Sequence, residues 1–158
     1  MLVLYDEVLQ YLDYSKFIAK LESYGIRSTS QLCHVNSKDV SVKNLKMVSK
    51  EKLLLITANK INSDAIISKI ACYNGIVSEI NGNIGIVSLN KQNIQFWSEL
   101  ALHEALHLHG VHHCETHGCL MYFGICNGGF RYCLNCTKSC TPIHVCKVCK
   151  GVINGDRN

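Results

Sequence analysis

The chain has little of what breaks a fold or carries a protein to a surface. Its one proline is Pro142, and no repeat or low-complexity stretch marks a flexible linker. No apolar run approaches the roughly 20 residues that a membrane span needs. The opening MLVLYDEVLQYLDY has acids where an export signal needs basic residues, and Asp6, Glu7 and Gln10 interrupt its apolar positions. The expected location is therefore a reducing, cytoplasmic one, away from membranes. Charge of one sign is also scarce. The net +4 comes from 16 basic and 12 acidic residues, spread without a basic run, so nucleic acid is not an expected partner. Lys138, Lys147, Lys150 and Arg157 near the C-terminus are too sparse to change that.

Cysteine is the residue in excess. Without export, ten cysteines are expected as thiols or as thiolates on metal rather than as disulfides. Eight of them lie between Cys114 and Cys149, while Cys33 and Cys72 stand apart and read as buried apolar residues. At 158 residues, 47% hydrophobic, the chain suits one well-packed body with a small appendage. The change in composition puts the division near residue 113, giving parts 1–113 and 114–158.

Within the body, Ser15 to Tyr24 reads as a helix with Asp13 or Ser15 as its cap and Gly25 as its stop. LLLIT, Leu53 to Thr57, is a continuous apolar run of the kind that forms a strand covered on both faces. Residues 63–72 read as a short helix. Ile76 to Ile80 and Ile84 to Leu89 flank Asn81-Gly82, which predicts a β-hairpin with a tight turn. From Asn93 a helical pattern continues through Trp97, Leu100, Ala101 and Leu108 to a stop at Gly110.

That last helix carries most of the chemistry. HEALHLHGVHHCETHGCLM, His103 to Met121, holds six of the eight histidines and two cysteines. His103 and His107 are four apart, so their imidazoles share one helix face and can bind one ion. Glu104 points roughly 100° away, too far round to be an obvious ligand but close enough to reach a water at the ion as a general base. Gly110 lets the chain leave the helix by a left-handed turn, after which His113 can swing back as a third ligand. Three neutral imidazoles leave zinc its double charge and an open fourth position, the arrangement of a catalytic site. His109 faces elsewhere, and His112 and His117 read as solvated or supporting histidines.

HEALHLHGVHHC, followed by four residues and Cys119, Leu120 and Met121, resembles the signature of the archaemetzincins, a branch of the metzincin zinc proteases. The resemblance is specific from His103 to Cys136 and looser upstream. It implies an α+β fold of metzincin type: a mixed twisted sheet with an antiparallel edge hairpin, an active-site helix carrying HExxHxxGxxH, and a small cysteine-rich, zinc-bound C-terminal subdomain. It also implies that His103, His107 and His113 bind a catalytic zinc, that Glu104 acts as general base and acid, and that Met121 forms a methionine turn beneath the site. Cys114, Cys119, Cys133 and Cys136 would hold a structural zinc, with FRYCLNC supplying the last two. The strand Ile84 to Leu89 would line the cleft and pair with a substrate backbone.

Four cysteines are additional to the resemblance and put the family's C-terminal helix in doubt. Cys126, Cys140, Cys146 and Cys149, ending in CKVCKG, look like a zinc knuckle for a third ion. In an alternative arrangement CLNC and CKVC share one ion and leave Cys114, Cys119, Cys126 and Cys140 for the other. His144 could replace a cysteine in either. The functional expectation is a zinc-dependent peptidase acting on peptides or proteins, with Tyr122 and Tyr132 as candidate oxyanion helpers that read more simply as packing. The rival is a non-catalytic, zinc-scaffolded protein-binding module, against which Glu104 argues, since a purely structural site has no use for a carboxylate beside its ligands.

Overall fold

The computed structural model describes residues 1–36, 40–46, 50–61, 75–89, 97–116, 118–122, 125–126, 129–130 and 144–155. Its centre is a five-stranded sheet built from β1 (Leu2–Asp6), β2 (Thr29–Cys33), β3 (Leu53–Thr57), β4 (Gly75–Val77) and β5 (Ile84–Ser88) in the order β2-β1-β3-β5-β4. The first four members of that order run parallel. Residues of β3 and β5 are buried throughout, which is why LLLIT and IGIVS read as unbroken apolar runs: parallel strands are covered on both faces.

At the far edge β4 runs antiparallel to β5, pairing Gly75 with Val87 and Val77 with Gly85. The expected tight hairpin does not form. Strand β4 is already over at Val77, and residues 78–83 make a longer connection. Its turn is closed by the Gly82 N–H to the Glu79 carbonyl, with Asn81 at φ 60°. The physical reason lies outside the hairpin: the Asn81 N–H donates to the His107 carbonyl at 2.8 Å, so the dipeptide that suggested a two-residue turn instead fastens the connection to a helix end.

Helix α1 (Tyr14–Glu22) starts where the Asp13 carboxylate accepts the Lys16 N–H and turns Tyr14, Phe17 and Leu21 into the core. A short helix α2 (Val42–Lys46) follows β2. Helix α3 (Trp97–Leu108) lies on the same side as α1, with Trp97 against Tyr14 and Phe17. The helix expected over 63–72 and the proposed start of α3 at Asn93 lie outside the described residues. A two-stranded pair, β6 (Ile125–Cys126) with β7 (Gly129–Phe130), and helix α4 (Lys147–Asn154) complete the chain. The C-terminal helix that the extra cysteines put in doubt is thus present. Cys146 caps it, Cys149 and Ile153 pack inward one turn apart, and Gly155 ends it at φ +82°. Cys119, Leu120, Met121, Val145, Cys146 and Cys149 belong to the same hydrophobic cluster as Phe17, Leu54 and Leu106.

Candidate metal centres

Helix α3 brings His103 and His107 to one face, and the chain returns to them because of how the helix ends. The Val111 N–H reaches back to the Leu106 carbonyl and the Gly110 N–H to that of His107, with Gly110 at φ +86°. This is a Schellman cap, which only a residue free to adopt positive φ closes without strain. Two further groups hold the end in place. One is the Asn81 N–H on the His107 carbonyl. The other is the Lys52 ammonium, which donates to the Leu108 carbonyl and to the Gly82 carbonyl at 3.1 Å. Three residues past Gly110, His113 is back beside the first two histidines.

The three Nε2 atoms form a triangle with sides of 3.1, 3.1 and 3.3 Å. Their protonation can be deduced from the other ring nitrogens. His103 Nδ1 lies 3.0 Å from the Leu120 carbonyl oxygen and His107 Nδ1 lies 2.7 Å from that of Val111. A carbonyl oxygen only accepts, so both Nδ1 atoms carry the proton and both Nε2 atoms turn bare lone pairs toward one another. Burial opposes a second proton. Desolvation brings His103 down to about 3 and His107 to about 4, and lowers His113 as well. Converging lone pairs at this separation need a cation between them. Nitrogens about 2.0–2.1 Å from a tetrahedral zinc stand about 3.3–3.4 Å apart, so the triangle has the size of one face of such a site.

Glu104, which follows His103 in α3, is buried at 5% exposure, and desolvation raises its carboxyl to about 8. Met121 is wholly buried beside Leu120, whose carbonyl orients His103. His109 and His112 stand outside the triangle, and His117 and Tyr132 lie outside the described residues. Tyr122 is half-buried and its backbone bridges to Cys114.

A second cluster is built from four cysteines. Cys114, Cys119, Cys146 and Cys149 place their sulfurs within 4.8 Å of one another, with Cys119 and Cys149 3.9 Å apart. Sulfurs about 2.3 Å from a tetrahedral zinc are about 3.8 Å apart, so this donor set also fits. The Met121 and Cys146 N–H groups donate to the Cys119 sulfur at 3.4 and 3.3 Å, as amides do around thiolate ligands. Desolvation drives Cys119 up to about 11 and Cys149 higher still. At Cys146 desolvation is outweighed by hydrogen bonds from the Cys149 N–H and the Thr116 side chain, which bring it to about 6. Ionisation is thus favoured at Cys146 and opposed by burial at Cys119 and Cys149, where a bound cation would favour the thiolate.

Among the described residues Cys114 and Cys119 are joined by Cys146 and Cys149, while Cys133 and Cys136, the partners the resemblance implies, lie outside the described residues with Cys140 and Cys72. CKVC forms the first turn of α4, and that turn is docked on Cys119. Gly151, expected to close a zinc knuckle after CKVC, instead continues the helix. Of Cys126 only the backbone, in β6, is described. Cys33 is half-buried, its sulfur 3.4 Å from the Tyr5 carbonyl.

No protein-family model and no curated protein sequence matches the chain. Solved structures do. The chain superposes on an archaemetzincin from Methanopyrus kandleri with a TM-score of 0.67 at 15% identity, covering 98% of this chain and 93% of that one. The chain folds like an archaemetzincin. An archaemetzincin from Archaeoglobus fulgidus, crystallised with malonate, gives 0.59 at 15% identity over 96% and 99% of the two chains. A zinc-dependent peptidase from Methanocorpusculum labreanum gives 0.62 at 16% identity over 98% and 100%. The archaemetzincin-like fold therefore extends over nearly the whole chain, well beyond the stretch from His103 to Cys136 that carries the sequence resemblance.

Proposed function

We propose that the chain is a zinc-dependent peptidase whose catalytic ion is held by His103, His107 and His113 and whose general base and acid is Glu104. The observation that carries this reading is the triangle of three Nε2 lone pairs, two of them fixed by protons on Nδ1 and all three within 3.3 Å. Zinc bound there would supply Lewis acidity, making water a stronger acid and polarising a scissile carbonyl. The remaining work belongs to the chain. Glu104 takes a proton from the attacking water at its carboxylate and returns it to the leaving amine. Its burial excludes competing solvent and favours the protonated form it must pass through.

The substrate is a peptide or protein, and it pairs with the outer edge of β4. Strand β5 has both edges occupied, by β3 and β4, so the role expected of residues 84–89 passes to residues 75–77. An extended peptide there adds its strand by backbone hydrogen bonding. Cys114, Cys119, Cys146 and Cys149 hold a second zinc that is structural, closed by four thiolates. Among the described residues no helix is long and apolar enough to cross a membrane.

The test is Glu104→Gln. Zinc content should match the parent, while cleavage of a peptide library falls by at least ~10²-fold, the usual contribution of a general base. Undiminished cleavage would remove Glu104 from the mechanism. Zinc bound without cleavage by the parent itself would favour the scaffolding module.

A further inference from the structure

Strand β4 and helix α3 meet at the glycine that opens the strand. A Cβ atom on Gly75 would lie 2.6 Å from Cδ and 2.7 Å from Cγ of Glu104, and nearer still to its Oε1. Carbon atoms rest at about 3.5–4.0 Å, so a side chain fits only if something shifts. The backbone at residue 75 is held by its pairing with Val87, and the opposing atoms belong to a side-chain end. With any residue larger than glycine the carboxyl would be the part to move.

We propose that Gly75 is a positioning residue for Glu104: the missing side chain at this one point of β4 leaves the volume in which the carboxyl sits, and so sets where its oxygens stand. The kinetic part of this inference rests on the peptidase reading, but the contact itself does not. The arrangement also brings the peptide-binding edge close to the general base. A substrate strand added to β4 would run about 4.8 Å from it in the plane of the sheet, while the carboxyl lies over the sheet face at Gly75.

In the zinc-loaded protein Gly75→Ala should lower kcat on the order of 10²-fold, the effect of a misplacement of about 1 Å, with KM and zinc content unchanged. Thermal melting of the same zinc-loaded protein supplies a readout without turnover. Gly75→Ala should lower Tm when Glu104 is present and leave it unchanged or raise it in a Glu104→Ala background, where the volume has been vacated. A general need for glycine in the strand would give the same loss of Tm in both backgrounds. That result, or an undiminished kcat in Gly75→Ala, overturns the proposal. The melting cycle decides the contact even if no peptide is cleaved, whereas Glu104→Gln decides the peptidase reading.

Discussion

The two donor clusters share one short stretch of chain, from His113 and Cys114 to Cys119 and the Leu120 carbonyl that meets His103, yet they are built in opposite ways. The histidine triangle draws its ligands from eleven consecutive residues, 103–113, on one helix and the turn that ends it. The cysteine cluster joins a loop at 114–119 to a helix start at 146–149. The first can be assembled locally, while the second exists only when distant parts of the chain have docked. They also differ in access. His113 is exposed, leaving an approach to the triangle, whereas Cys119, Cys146 and Cys149 are all buried. An open set of three donors suits turnover, and a closed set of four suits structure.

That contrast can be broken most severely at the cysteines. Cys146→Ser with Cys149→Ser should lose the zinc of that cluster and release α4, since structural zinc contributes on the order of 10 kcal/mol to folding. Cys133→Ser with Cys136→Ser should keep both the metal and the melting temperature. The reverse outcome, read by metal analysis and melting, would favour Cys133 and Cys136 as the ligands.

A smaller effect tests how the histidine side is held. Lys52→Met removes the ammonium from the Leu108 and Gly82 carbonyls and should cost about 1–2 kcal/mol, a Tm loss of a few degrees. An unchanged Tm would mean that the cap at Gly110 suffices by itself.

The smallest effect is at the other end of α3, where Lys20 and Glu99 pair at 3.1 Å, partly exposed. Desolvation pushes Glu99 up, but the hydrogen bond and charge of Lys20, helped by Ser98, hold it below its ordinary value. A carboxyl lowered on folding stabilises above its unfolded pKa, and that stability is lost as pH falls through the folded one. Lys20→Met should therefore cost less than ~1 kcal/mol at neutral pH and flatten the acid side of the stability curve. A parallel acid limb in parent and variant would count against the pair.

The same contrast explains what the sequence made legible. His103, His107, Gly110 and His113 could be read because helix periodicity and one glycine place them with no tertiary information. Leu53 to Thr57 was readable for a similar reason, burial on both faces. The cysteine partners were not, because several CxxC choices satisfy the same local rule and only the docking of α4 selects among them. Gly155 could have signalled that helix, had CKVCKG not suggested a knuckle. Strands β1 and β2 were missed: LVLYD is short and interrupted, and TSQLC is a largely exposed edge. Asn81-Gly82 misled because its preference for positive φ serves a contact with α3. Gly75 carried no signal at all, since its neighbour Glu104 is close only in the fold.

The acceptors that fix the histidine tautomers are main-chain oxygens, of Leu120 and Val111. Any amino acid at those two positions offers the same oxygen, so point substitution cannot delete the groups that keep Nε2 deprotonated. Only a change in chain length or turn geometry can. The protonation state of the centre is thus written in backbone path rather than in residue identity, and a sequence can diverge widely around such a site while its donor chemistry stays fixed.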